Sequence, residues 1–175
     1  EMEVMNQVSS SRGNFEAAEK IANVLAAVKA EKMIEIFDAI KNHMDKLGYS
    51  KHLVHEEYRD EAIRYYEKNL FTWPSLNYNV PSASPEIGVK IVLRFEIGSQ
   101  LYFGIAPWNP IIIKNSNPES RDGVIEKYVR DHLMPVACDG SKSKYWYWQR
   151  FIAEDIDFKS CNNAYKELYD RQAFQ

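Results

Sequence analysis

From Ile87 to Ile97 every second residue is apolar, through Val89, Ile91, Leu93 and Phe95. A side-chain period of two is the geometry of a strand with one buried face, and a helix cannot accommodate it. Gly98-Ser99 marks a turn, beyond which Leu101, Phe103 and Ile105 resume the alternation. Parity then constrains that turn. A two-residue turn at Gly98-Ser99 would set Phe95 opposite Tyr102 and put Leu101, Phe103 and Ile105 on the wrong face of the sheet. A three-residue loop, Gly98 to Gln100, instead pairs Ile97 with Leu101, Phe95 with Phe103 and Leu93 with Ile105, so the sequence predicts that loop or an equivalent bulge.

Upstream the period is different. Between Asn14 and Leu47 there is neither Gly nor Pro, and apolar residues recur at Ala18, Ile21, Ala22, Leu25 and Val28, then at Met33, Ile36, Phe37, Ile40, Met44 and Leu47. Steps of three and four define an amphipathic helix, with Asn14 as the expected N-cap and Gly48 just past its end. The step from Val28 to Met33 is five, so the stripe slips; one long helix with a phase drift is the reading adopted. Such a helix would span roughly 50 Å at 1.5 Å per residue, more than a small domain needs, so its first half is expected to pack on something else. A second helix is expected over Glu56 to Lys68, ended by Trp73-Pro74-Ser75, after which Leu76, Tyr78 and Val80 alternate as a strand.

The remaining elements are a short strand over Ile111 to Lys114, a capping box at Ser116-Asn117-Pro118-Glu119, a helix with Ile125, Tyr128, Val129 and Leu133 on its apolar side, a strand through Tyr145-Trp146-Tyr147-Trp148, and a last helix near Ser160 to Arg171. Without repeats or an alternating βαβ pattern, the fold class is α+β: an antiparallel sheet covered by helices, with a long N-terminal helix. Residues 1–13 read as a flexible lead-in and 14–175 as one domain, helical over 14–70 and sheet-containing over 71–175. Phe, Trp and Tyr make up 13% of the chain, which favours a sizeable sheet core. The opening on Glu1 suggests a fragment of something longer.

Charge and composition exclude several functions. A net charge of -3 supplies no global field towards polyphosphate or an anionic bilayer, so nucleic-acid affinity would need a local patch. No apolar run approaches the roughly 18 residues of a membrane span. The two cysteines, Cys138 and Cys161, form no framework or C-x-x-C pair, which fits a reduced cytoplasmic setting.

Catalytic signatures are absent. His52, His55 and Glu56 could share one helix face and grip a metal, but their order is not that of the metalloprotease motif, and a solvated helix start is the plainer reading. Glu154, Asp155 and Asp157 are neighbours that point apart rather than a fixed carboxylate pair. There is no nucleophile elbow and no glycine-rich phosphate loop. No catalytic or metal-binding residue is assigned. The best recognition feature is Lys142, Lys144, Tyr145, Trp146, Trp148 and Arg150, because rings that stack bases beside cations that neutralise phosphates are the components of single-strand binding. Against it, alternate rings of a strand must face the core. Arg94 and Glu96, opposite Leu93 and Phe95, read as a solvated sheet face.

The order of a long helix (Ala17 to Leu47), Tyr65-Tyr66-Glu67, then Val92-Leu93-Arg94-Phe95-Glu96-Ile97, Leu101-Tyr102-Phe103-Gly104, and finally Tyr145-Trp146-Tyr147-Trp148 before Ile156-Asp157-Phe158 resembles the C-terminal region of bacterial PD-(D/E)XK nuclease superfamily proteins. The resemblance covers most of the chain. It implies an upstream nuclease domain, where an acidic residue and a (D/E)-x-K pair would hold a divalent metal. This chain departs there: Glu31-Lys32 and Glu86-Ile-Gly-Val-Lys90 have the wrong spacing, so no active-site residue carries over. The expectation is a non-catalytic accessory domain that positions nucleic acid or mediates assembly, with no cofactor of its own. Its expected partners are that upstream domain and nucleic acid, with a homo-oligomer left open and no membrane role. The alternative is a stand-alone interaction module that binds a peptide or small molecule through an aromatic surface.

Overall fold

The computed structural model describes residues 2–67, 73–80, 90–108, 121–133 and 139–167. Five strands form one antiparallel sheet in sequence order: β1 (Leu53–His55), β2 (Ser75–Asn79), β3 (Ile91–Ile97), β4 (Leu101–Pro107) and β5 (Trp148–Ala153). The helices are α1 (Met2–Ser9), α2 (Arg12–Lys46), α3 (Tyr58–Glu67), α4 (Arg121–Tyr128), which widens into a π turn over Val129–Leu133, and α5 (Asn163–Glu167). The fold is α+β, as the change of period requires.

The hairpin register agrees with the parity argument. Ile97 pairs with Leu101, Phe95 with Phe103 and Leu93 with Ile105, and Gly98 to Gln100 form the loop, closed by Gly98 N–H donating to Gln100 O at 3.0 Å. On the opposite side of β3, Leu76 faces Phe95 and Tyr78 faces Leu93. These residues make one apolar face.

The second half of α2 and all of α3 lie on that face. Met33, Phe37, Tyr58, Ala62, Leu76, Tyr78, Ile97, Leu101 and Phe158 are buried together, and full burial stabilises by roughly 1.5–3 kcal/mol for each large aliphatic or aromatic side chain. Tyr65 donates to Gly98 O and Tyr66 to Phe158 O, which pins α3 to the hairpin loop and to the segment before α5. Under α4, Ile91, Ile105, Ile125, Val129, Tyr147 and Trp148 form a second cluster.

Several elements differ from expectation. Helix α2 starts three residues early: its N-cap is Ser11, in extended conformation, which accepts the Asn14 N–H, and Asn14 lies inside the first turn. The stretch read as a flexible lead-in contains α1, whose side chains are not buried. The segment read as a helix start at His52 is a 3-10 turn, Ser50–His52, leading into β1, and α3 begins only at Tyr58. The strand expected through Tyr145 begins at Trp148, because Ser143 and Trp146 close a turn through mutual backbone hydrogen bonds and only then does Tyr147 N–H reach Ile105 O. The strand start at Ile87, the Ile111–Lys114 strand, the Ser116–Glu119 capping box, Cys138 and the last helix beyond Glu167 lie outside the described residues.

Candidate functional site

The second face of the sheet carries the chemistry. Strand alternation sends Arg94 and Glu96 of β3, Tyr102 of β4, Ser75 and Asn77 of β2, and Gln149 and Phe151 of β5 to the side away from the helices. That side was expected to be solvated. Instead it is covered: the turn ending at Trp146 folds back over β3 and β4, and Trp146 is buried with Val92 and Ala106, flanked by Val54, Tyr102, Tyr145 and Trp108.

A row of polar groups is trapped beneath this cover. Arg94 donates from Nε to Asn77 Oδ1 at 2.7 Å, and its guanidinium lies 5.5 Å from the centre of the Trp146 ring. Glu96 is 4% exposed and accepts a hydrogen bond from the Tyr102 hydroxyl. Its other oxygen lies 3.7 Å from Arg94 Nη1, which is beyond hydrogen-bond range. Burial pushes the Glu96 carboxyl up to about 7, against the opposing pull of the Tyr102 bond and of Arg94. The same burial raises the Tyr102 phenol and lowers the Arg94 guanidinium.

Beside this row is a cleft of about 350 Å³, whose lining combines Glu96 and the Gly98 to Gln100 loop with the rings of Trp73, Tyr102, Tyr145, Trp146 and Phe151. Trp73 and Tyr145 meet edge to face at 6.1 Å, Tyr102 meets Trp146 at 5.3 Å, and Tyr102 meets Phe151 at 5.9 Å. Ser143 and Gln149 complete the lining, the volume is at the lower end for a small-ligand pocket, and aromatic walls with a few placed polar groups are the usual composition of such sites. A wider groove of about 710 Å³ runs along α2, but Glu35, Asp38, Asn42, His43 and Lys46 make it a mostly solvated helix flank with a single ring, Phe95. The smaller cleft is therefore the candidate site.

Of the six residues singled out from the sequence, the structure brings two into this cleft, Tyr145 and Trp146. Trp148 is buried on the opposite face against Phe103, so the two tryptophans do not share a surface. Both are at most 5% exposed, which leaves neither ring free to stack on a base. Lys142 is paired with Glu126, Lys144 lies 4.9 Å over the Tyr145 ring, and Arg150 is exposed on β5.

The acidic and histidine clusters resolve as local structure. His55 contacts Glu61 at 3.4 Å, and that hydrogen bond raises the imidazole's pKa, whereas His52 packs beside Tyr49. Asp157 accepts the Lys159 and Ser160 N–H groups in a turn, which lowers its pKa. Among the described residues no three His, Cys, Asp or Glu side chains converge as a metal-binding group, and no helix is long and apolar enough to cross a membrane.

Sequence reasoning missed Trp73, Glu96, Tyr102 and Phe151. A usable clue was present in strand parity, which sets Glu96 opposite Tyr102 on one face of the hairpin. Comparison with family models, with curated proteins and with solved structures gave no match for this chain.

Proposed function

We propose that this chain is an interaction module that receives part of a peptide or a small molecule in the cleft bounded by Trp73, Tyr102, Tyr145 and Phe151. The observation that carries this reading is the combination of an open ring-lined cleft with a nearly fully buried carboxylate at its base. An apolar cleft binds with little dependence on salt, whereas phosphate contacts release counterions and weaken steeply as salt rises. Ligand-observed NMR with a fragment mixture tests it, using the intact chain and its Trp73→Ala and Tyr145→Ala variants at low and high salt. Fragment signals lost in both variants, with at most a shallow dependence on salt, support the module. Binding that survives both substitutions removes this site from consideration.

A second reading keeps the accessory-domain role that the nuclease resemblance implies. It draws on the uncovered first half of α2, where Phe15, Ile21, Val24, Leu25 and Val28 are all exposed and would suit a further domain of the same polypeptide. Single-stranded DNA binding with a steep salt dependence, lost on removing Lys142, Lys144 and Arg150 together, would favour that reading over the cleft.

A further inference from the structure

The cleft's chemistry narrows its ligand. Among the described residues that line it there is one carboxylate, Glu96, and no lysine, arginine or histidine. Arg94 lies beneath, but its guanidinium is directed to Asn77 Oδ1 and to the Pro107 and Trp108 carbonyls, and it approaches Glu96 only to 3.7 Å. The carboxylate accepts a single hydrogen bond among the described residues, from Tyr102. An ionised carboxylate has room for more than one such partner, so Glu96 retains unused acceptor capacity and incompletely compensated charge at the base of the cleft.

The walls favour the same sign of ligand. Aromatic faces carry negative quadrupole potential and attract cations, most strongly when the cation's own hydration is weak. Two rings of this cleft already show the preference within the chain, since Arg94 lies over Trp146 and Lys144 over Tyr145. A strongly hydrated primary ammonium would give up much of its solvation against these rings, with Ser99, Gln100, Ser143 and Gln149 as the neutral polar groups of the lining. An alkylated ammonium has little hydration to lose and apolar methyl groups that fit against rings.

Building on the interaction-module reading, we propose that this cleft binds an alkylated ammonium group, contacting the rings of Trp73, Tyr102, Tyr145 and Phe151 with Glu96 as counter-charge. The head group is common to a methylated lysine side chain and to a small quaternary amine, and the test separates these sources.

The experiment titrates the full chain with choline, with its uncharged carbon isostere 3,3-dimethylbutan-1-ol, and with a short peptide carrying trimethyl-lysine, following the tryptophan indole N–H signals by NMR. Choline is expected to bind about tenfold more tightly than the isostere, and the Glu96→Gln variant, which keeps the shape and an acceptor for Tyr102, should lose most of that difference. Tyr145→Ala, at the rim of the cleft, provides a second variant with less risk to folding and should weaken both charged probes. A peptide that outbinds choline assigns the source to a protein side chain, whereas equal affinity assigns it to the free amine. Equal affinity for choline and the isostere overturns the cation inference while leaving an apolar module intact. Failure of all three probes, while fragments bind in a Trp73-dependent way, overturns it as well. Absence of any binding, fragments included, removes the module reading itself.

Discussion

Glu96 and Tyr102 stand directly opposite each other on neighbouring strands, on the sheet face turned away from the helices, and the phenol donates a hydrogen bond to the carboxylate. The pair sits under Trp146 and beside Arg94, so an ionisable group is held where apolar packing would serve folding better. Stability alone does not account for a carboxylate at this position.

The pH dependence of folding tests how much that carboxylate costs. Its folded pKa is pushed up from 4.5 to about 7, so between these values the folded state holds a proton that the unfolded chain releases. Stability therefore falls as pH rises through this window and levels off above it, by about 3 kcal/mol in all. His55 acts in the same direction, because its raised pKa gives stability that is present below 6.5 and lost as pH rises through the folded value. The difference between the intact chain and Glu96→Gln isolates the carboxylate. Urea unfolding at pH 5 and pH 8 should show a clearly smaller loss in the variant; equal losses would refute the assignment.

Tyr102→Phe probes the same pair from the donor side. Removing the hydroxyl leaves ionised Glu96 without its hydrogen bond, while a protonated carboxyl loses less. The variant should be destabilised by about 1.5–3 kcal/mol at pH 8 and by less at pH 5, measured by the same unfolding curves.

Ligand affinity should vary with pH in the opposite sense to stability. Binding an alkylammonium requires ionised Glu96, so choline affinity should rise as pH increases through about 7 and flatten above it. Arg94, Tyr102 and Glu61 are the charged or titratable groups that act on Glu96. Arg94 stays protonated and the Tyr102 phenol, raised by burial, stays neutral through that window, which leaves His55, hydrogen-bonded to Glu61, as the other titrating group. The Glu96→Gln variant should lose the pH dependence; a profile that persists in it would place the titrating group at His55.

Much of the fold was legible because period and parity are hard constraints. Leu93, Phe95 and Ile97 could meet Ile105, Phe103 and Leu101 only across a three-residue loop or an equivalent bulge, and the loop is what forms. The site was less legible because alternation says which residues share a face but not whether that face is covered. Covering it depends on Trp146 folding back through the Ser143–Trp146 turn, a contact that no local pattern encodes. Trp146 and Trp148 have the same parity and would share a face in a continuous strand; the turn between Ser143 and Tyr147 sends them to opposite faces.

Gly104 is where β4 approaches the β5 main chain closely. A Cβ at this position would lie 2.1 Å from Trp148 O and 2.8 Å from Gln149 Cα, both main-chain atoms of β5 that cannot move without breaking the β4–β5 pairing. Gly104→Ala should therefore destabilise by more than about 3 kcal/mol. At Gly98 the nearest atom would be the Tyr102 hydroxyl at 3.5 Å, an ordinary contact, so Gly98→Ala is the matched control and should cost less than about 1 kcal/mol. Similar losses for the two variants in thermal unfolding would contradict this close approach.

The slipped stripe of α2 has a structural consequence that truncation can measure. At about 100° per residue, the apolar direction of Ile21, Leu25 and Val28 points about 130° away from that of Met33, Phe37 and Met44. The later group is buried against α3 and the sheet, and the earlier group is exposed. A straight helix cannot turn both stripes towards one core, so the first half contributes helix but little burial to this domain. Removing residues 1–22 leaves Asn23 as a competent cap for the shortened helix and keeps every buried position from Ala30 onward. The unfolding free energy should change by less than about 0.5 kcal/mol while the far-UV helical signal falls. A larger loss would show that the uncovered face is held against the domain in solution, and an unchanged helical signal would show that the first half is not helical in the isolated chain.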